Sequence, residues 1–195
     1  MIETTRSPDP ITTDAGALVV YASTHGHTAK IAARLAQAMR DEGLKVELRD
    51  VAEDAPEPAG YDLVVVGGSL HKEHHQKAIV EWASAHRDAL ARGPSVFFSV
   101  SLTAADDGEE ACAATRRCID EFCTQTGWFP TRTARIAGAL QYREYDAFTR
   151  QLMRLLMKRM GHPTDTSQDY DYTDWEAVDR LGRETAALAR GVVRA

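Results

Sequence analysis

Short strand-like runs, most of them apolar, recur along the chain, each bounded by turn residues and all but the second, which leads into a Pro-, Glu- and Asp-rich loop at 52–60, followed by a stretch of helical period. The runs are Ala17–Tyr21, Lys45–Arg49, Leu63–Val66, Val96–Ser101 and Arg135–Leu140. Leu63-Val64-Val65-Val66 is apolar on every position, as a strand buried on both faces of a parallel sheet must be, whereas Lys45–Arg49 alternates with period two. Between and after the runs, helical spacing predicts helices at about 28–42, 75–90, 109–125, 146–160 and 174–190, with Gly43 and Gly93-Pro94 as stop signals. Five strands and five helices in near alternation predict an α/β fold: a doubly wound five-stranded parallel sheet in the order 2-1-3-4-5, with helices on both faces. Residues 1–15, rich in Thr, Ser and Pro, are expected to be a flexible leader, with one domain over 16–195.

In that topology the loops after strands one, three and four share one edge of the sheet, which gathers Ser23–Thr28, Ser69–His75 and Ser101–Asp107. The first is the most informative. Ala17–Tyr21 feeds Ser23-Thr24-His25-Gly26-His27-Thr28 and then a helix, so the first helical N–H groups point into a turn of hydroxyls at the positive end of the helix dipole. Gly26 permits a positive φ or a close backbone approach to a ligand. This is an anion site. A triphosphate loop would need G-x-x-x-x-G-K-S/T and a dinucleotide site G-x-G-x-x-G, and neither is present. A lysine-free hydroxyl turn suits one terminal phosphate monoester, such as that of flavin mononucleotide (FMN). A phospho-receiver domain shares the topology but needs acidic residues after strands one and three, where Tyr21-Ala22-Ser23 and Gly67-Gly68-Ser69 stand instead.

Composition adds limits. The chain has 195 residues, 44% hydrophobic and 27% charged, with net charge −6, enough for a sizeable core and without the basic excess of a nucleic-acid binder. No run approaches the ~18 apolar residues of a spanning helix and no secretion signal precedes the first strand, so a cytoplasmic protein is expected. Cys112, Cys118 and Cys123 form no C-x-x-C pair; Cys118 and Cys123 fall with Ile119 and Phe122 at helical spacing, as core filler. Five histidines, His25, His27, His71, His74 and His75, crowd the ligand edge. They are open to three readings: polar rim residues, part of a metal shell with Glu73, or, for His74 and His75, groups that donate to a flavin ring or move protons beside it. His74 is the catalytic candidate, and no metal is expected.

Ser23-x-His25-Gly26-x-Thr28 resembles the flavodoxin phosphate loop, in which a hydroxyl residue usually stands where His25 does. Over the last third, Ile136-Ala137-Gly138-Ala139-Leu140-x-Tyr142-x-x-Tyr145, Met157-Lys158-x-Met160, Thr164-Asp165-Thr166 and Tyr172-Thr173-Asp174-Trp175-Glu176 resemble the flavodoxin-type, menaquinone-dependent protoporphyrinogen dehydrogenases, with further likeness at Gly68-Ser69-Leu70, His74 and Phe98-Ser99-Val100-x-Leu102. Lys72 departs from that pattern, in which an aromatic is expected. The resemblance implies a flavodoxin-like fold with a helical insertion at about 142–172. It implies FMN held by Ser23, Thr24, His25, Gly26, His27, Thr28, Ser69, Leu70, His71, Ser99, Ser101, Leu102 and Thr103. The expected activity is oxidation of a porphyrinogen-type substrate, protoporphyrinogen IX, with a membrane quinone as acceptor, as in heme biosynthesis. The alternatives are an electron-transfer flavodoxin, docking through Asp106-Asp107-x-Glu109-Glu110, and an NAD(P)H:quinone reductase.

The insertion also invites a physical reading. Phe148, Leu152, Met153, Leu155, Leu156, Met157 and Met160 span about 200° of a helix. Residues 131–160 carry seven Lys/Arg against two acids, net +5, which leaves −11 on the rest. A core-packed helix, a wall for a dianionic porphyrin and a peripheral contact with the inner face of the cell membrane through about 148–160 are all compatible with that pattern. Arg150, Arg154 and Lys158 are the expected basic face. A second copy of the chain is a candidate partner; nucleic acid is not. At the insertion's end, Thr173 or Asp174 is the expected N-cap of the last helix.

Overall fold

The computed structural model describes residues 16–53, 55–71, 73–144, 146–159 and 164–192. The expected leader, Lys72, Tyr145 and Met160 lie outside them. The sheet forms as the apolar runs require. β1 (Gly16–Ala22) lies inside the sheet, parallel to β2 (Lys45–Asp50) on one side and β3 (Leu63–His71) on the other. β5 (Ser95–Ser101) and β6 (Arg132–Ala137) extend it, giving the order β2-β1-β3-β5-β6. Counting the parallel strands alone, this is the expected 2-1-3-4-5.

Alternation along each strand divides the core between two faces. Val19, Val65, Phe98 and Val100 pack beneath α1 (His27–Asp41) and α6 (Trp175–Val192). Leu18, Val20, Val64, Val66 and Phe97 pack beneath α2 (Lys77–Ala85) and α4 (Glu109–Thr126), where Phe97 stacks on Phe122 with ring centroids 4.0 Å apart. Cys123 is buried in this second layer, as its spacing predicts, while Cys118 is half-buried.

Three boundaries differ from the sequence reading, each for a packing reason. β3 does not stop at Gly67-Gly68 but runs to His71, both glycines being paired to β1 and to β5. The Phe98 ring lies across Gly67, where a Cβ would stand 2.0 Å from Cζ. Glycine is here a packing requirement rather than a turn signal. Beyond the sheet, Leu70 and His71 fold back on β4 (His74–His75) as a tight hairpin with Glu73 at φ 67°. His75 is therefore strand, and the helix expected at 75–90 becomes α2 and α3 (Arg87–Leu90), broken at His86, which turns Leu90 into the core.

The last run also splits. β6 starts at Arg132, and Gly138 takes the chain out of the sheet, so that β7 (Ala139–Leu140) pairs antiparallel with β8 (Tyr170–Asp171). Between them lies α5 (Ala147–Arg159). Leu140, Tyr142 and Met157 form a small separate core, with Leu102, Met153, Tyr170 and Tyr172 around it. Asp174, not Thr173, caps α6: its Oδ1 accepts from the Ala177 N–H at 2.9 Å.

Replacing Gly67 by Ala is expected to force the Phe98 ring aside and lower unfolding free energy by about 1–3 kcal/mol. In a Phe98→Leu background the same change should cost less, because the two sites share one space. Urea unfolding of the four proteins measures both effects; equal costs in the two backgrounds would disconnect Gly67 from Phe98.

Candidate functional site

The site begins where β1 ends. Ser23 to Gly26 turn the chain into α1, whose N-cap is Gly26 at φ 79°, with no side chain capping the helix. The first intrahelical bond is Lys30 N–H to the Gly26 carbonyl, 3.1 Å. The N–H groups of His27, Thr28 and Ala29 lie ahead of it and open towards the loop. A side chain at position 26 would meet no atom within 4 Å but would be strained by the positive φ. The Ser23 hydroxyl oxygen is buried and has no partner among the described residues. A buried hydroxyl left unpaired costs free energy, and a phosphate at the head of α1 would relieve it. Thr28, expected in the same set, is 3% exposed.

The second loop meets the first through side chains. Thr24 Oγ1 lies 3.0 Å from His71 Nε2, which is also 3.4 Å from Ser69 Oγ. Gln76, directly before α2, ties the two loops: its Oε1 accepts from the Ser69 N–H (2.9 Å), and its Nε2 donates to Ser69 Oγ (2.7 Å) and to the Ala22 carbonyl (3.3 Å). The sequence reading missed Gln76 because it placed that residue inside a helix. The available signal was a residue with both donor and acceptor at a strand-to-helix junction. Burial, and then the neighbouring His25 ring 6.3 Å away, lowers the His71 pKa. A neutral imidazole can accept from Thr24 or donate to it.

The five histidines separate. His25 and His74 are exposed at the rim, His74 on the hairpin. His75 goes under it: its ring packs edge-on to Phe97 (5.1 Å) and Phe122 (5.0 Å), and Nε2 lies 2.9 Å from Ser99 Oγ. Burial, with His74 adding a smaller effect, pushes its pKa down to about 4. Ser99 was expected at the cofactor; its hydroxyl instead supports His75 at 2% exposure, because residue 99 points to the α2 and α4 face. His27 turns away as well. Its Nε2 lies 2.7 Å from Thr173 Oγ1, and its ring lies edge-on to Trp175 at 5.9 Å.

The third loop closes the edge. Ser101 Oγ accepts from the Ala104 N–H (3.2 Å) and shapes the short turn of Thr103–Ala105. Leu102 leans on the insertion's core. Asp107 pairs with Arg135 at 2.6 Å, and Asp106 holds the Gly108 N–H at 2.7 Å. Among the described residues, no cluster of three or more His, Cys, Asp or Glu is arranged to hold a metal ion. Ser23, Thr24, Gly26, Ser69, Leu70, His71, Ser101, Leu102 and Thr103 thus lie at or just beyond the ends of three neighbouring strands, with His25 and His74 at the rim.

A family model described as the flavodoxin domain matches residues 18–167. The protoporphyrinogen IX dehydrogenase (quinone) of Escherichia coli strain K12 is 35% identical over 172 residues, 88% of this chain and 94% of that protein. The Leishmania major protein of the same name is 34% identical over 177 residues, 90% of this chain and 76% of that protein. Among solved structures, oxidised flavodoxin 1 from Bacillus cereus superposes with a TM-score of 0.54 at 14% identity, covering 89% of this chain and 98% of that one, a likeness of fold.

The buried His75 predicts a pH dependence. Unfolded, the imidazole titrates near 6.5, while folded it stays neutral down to about 4. Between those values the unfolded chain binds more protons, so stability is full above pH 6.5 and falls as pH drops towards 4, by on the order of 3 kcal/mol. His75→Gln is expected to flatten that slope in thermal unfolding followed from pH 7 to 4.5. An unchanged slope would assign it to other groups.

Proposed function

This chain belongs to the flavodoxin family, and from that premise we propose that it is an FMN-dependent oxidoreductase that oxidises protoporphyrinogen IX and passes the electrons to a quinone. The observation that carries the proposal is the head of α1, where uncapped helix N–H groups and the partnerless Ser23 hydroxyl stand in a loop without Lys or Arg. That donor set fits one phosphate monoester and offers nothing to a second nucleotide half. When bound, the flavin supplies two-electron redox chemistry at its ring, and the protein supplies binding, orientation and exclusion of water. Thr24, Ser69 and His71, joined through Gln76, form the polar wall beside the phosphate loop, and Leu102 the apolar one. His74, exposed on the hairpin after β3, is the group we assign to proton transfer at the substrate. The name shared by the chain's relatives, protoporphyrinogen IX dehydrogenase (quinone), supports the substrate and the acceptor. The electron-carrier reading relied on an acidic rim, and two of its four acids are already engaged, Asp107 by Arg135 and Asp106 by the Gly108 N–H.

The insertion gives this reading a route to a lipophilic acceptor. The 200° apolar arc of α5 divides in two: Met157 is buried and Met153 packs beside it, while Phe148, Leu152 and Leu155 are 80%, 53% and 59% exposed on the opposite side. The spacing i, i+4, i+7 makes these three one stripe. Of the expected basic face, Arg150 departs, its Nε donating to the Tyr142 carbonyl at 2.9 Å, and Arg154 and Lys158 remain exposed beside the stripe. We assign this stripe to the surface of an anionic membrane, each cation adding about 1 kcal/mol near the headgroups. Among the described residues no helix is long and apolar enough to cross a membrane.

An anaerobic assay with protoporphyrinogen IX and a soluble naphthoquinone should produce porphyrin fluorescence in proportion to bound FMN. Reduction of the quinone by NADPH but not by the porphyrinogen would overturn the substrate. Ser23→Ala is expected to weaken FMN binding by about 10- to 100-fold, the value of a charge-assisted hydrogen bond, while His74→Ala keeps its flavin and loses about 10²–10⁴-fold in turnover. Full turnover by His74→Ala would remove it from the chemistry. In liposome sedimentation, wild-type protein should follow anionic vesicles at low salt and leave them as salt rises. Phe148→Gln with Leu152→Gln should abolish that binding without loss of FMN; an equal preference for neutral vesicles would refute the assignment of α5.

A further inference from the structure

A buried contact joins the first binding loop to the segment that returns from the insertion. His27 is the first residue of α1, beside Gly26, yet it is only 8% exposed and its Nε2 lies 2.7 Å from Thr173 Oγ1. The Thr173 hydroxyl has one proton, and it goes to the Ala137 carbonyl at the end of β6, 2.8 Å away. Its oxygen must then accept from the ring, so the imidazole carries its proton on Nε2. Asp171 stands 3.6 Å from the same nitrogen and shapes the returning chain, its carboxylate accepting from Thr173 N–H (2.9 Å) and Trp175 Nε1–H (3.2 Å). One residue back, Tyr172 N–H donates to the Gly138 carbonyl, and Gly138 N–H donates to the Ser101 carbonyl at 3.0 Å. Within two residues the returning segment thus grips the head of α1 and, through Gly138, the last binding loop.

We propose that the His27–Thr173 hydrogen bond is a positioning link that couples the phosphate loop to the returning segment of the insertion, so that FMN binding at the head of α1 and the pairing of β7 with β8 stabilise each other. The proposal rests on the FMN reading above. His27 acts through its neighbours. Its backbone N–H is one of the uncapped donors, and the grip of Thr173 on its side chain fixes the direction of that peptide. In the other direction, a phosphate that orders the first turn of α1 orders the residue on which Thr173 closes. Coupling between two sites is reciprocal in free energy, so the link has two readouts. The sequence reading gave His27 to the cofactor directly; the geometry gives its ring to the insertion and leaves its main chain to the loop.

Two measurements on the full chain test this. FMN affinity is read from flavin fluorescence, and hydrogen exchange of the Ala139, Leu140, Tyr170, Asp171 and Tyr172 amides is read with and without FMN. In the wild type, FMN should slow exchange at these amides, although they lie on the insertion. Thr173→Val, which keeps the shape and removes the hydroxyl, should weaken FMN by about tenfold and lose the FMN-dependent protection. Thr173→Ser and His27→Gln, which restore an acceptor and a donor, should recover most of both; His27→Phe should not. If the wild type binds FMN but exchange at these amides is unchanged by it, the link is refuted whatever the variants do. It is refuted equally if Thr173→Val matches the wild type in affinity and protection. If the wild type takes up no FMN, the cofactor reading falls, and the link falls with it.

Discussion

The parts of this structure depend on how the chain leaves β1. β1 has β2 on one side and β3 on the other, and the helices that follow β1 and β3 pass to opposite faces of the sheet. A crevice must open at the carboxyl end of β1, and the first turn of α1 faces it with N–H groups that no residue of the helix can satisfy. Gly26 in the left-handed region makes the turn tight enough, and a side chain there would trade backbone strain for nothing. The remaining loops are arranged around that unsatisfied end. Gln76 ties the loop after β3 to it, and Thr173 ties the insertion to it.

The insertion is attached to this frame differently from the helices that cover the sheet. α1 and α6 bury long apolar stripes on the sheet, whereas α5 buries Met157 and leans Met153 on a core of only a few side chains. Its cations do much of the closing: Arg143 donates to the Ser167 carbonyl and Arg150 to the Tyr142 carbonyl, so two charges that would otherwise mark a basic surface hold loop carbonyls. Nearer the sheet, Arg132 and Arg135 pair with Glu184 and Asp107. Four of the seven cations of residues 131–160 thereby have structural partners, and the exposed Arg154 and Lys158 adjoin the apolar stripe of Phe148, Leu152 and Leu155.

The histidines show why residue type and loop position are insufficient to assign chemistry. Two neighbours in sequence, His74 and His75, point to opposite sides of a two-residue strand, one into solvent and one between Phe97 and Phe122. The same imidazole is a candidate proton carrier at one position and, desolvated, a neutral core group at the next. His27 and His25 divide in the same way across Gly26.

The order of the main strands and helices, the parallel sheet, the hydroxyl-rich turn at Ser23–Thr28 and the insertion before the last helix are all readable along the chain. These are local facts: a buried strand, a helix stripe and a lysine-free hydroxyl turn are each written within a dozen residues. The remaining features depend on partners far away along the chain. The glycines of β3 read as a turn until Phe98 lies over Gly67. Ser99 reads as a loop hydroxyl until strand alternation turns it to His75, and Gln76 reads as a helix residue until Ala22 and Ser69 come within reach. Thr173, 146 positions from His27, reads as a helix cap until the fold brings the two within hydrogen-bonding distance. Periodicity reports which side of an element is buried; only the packed chain reports what it is buried against.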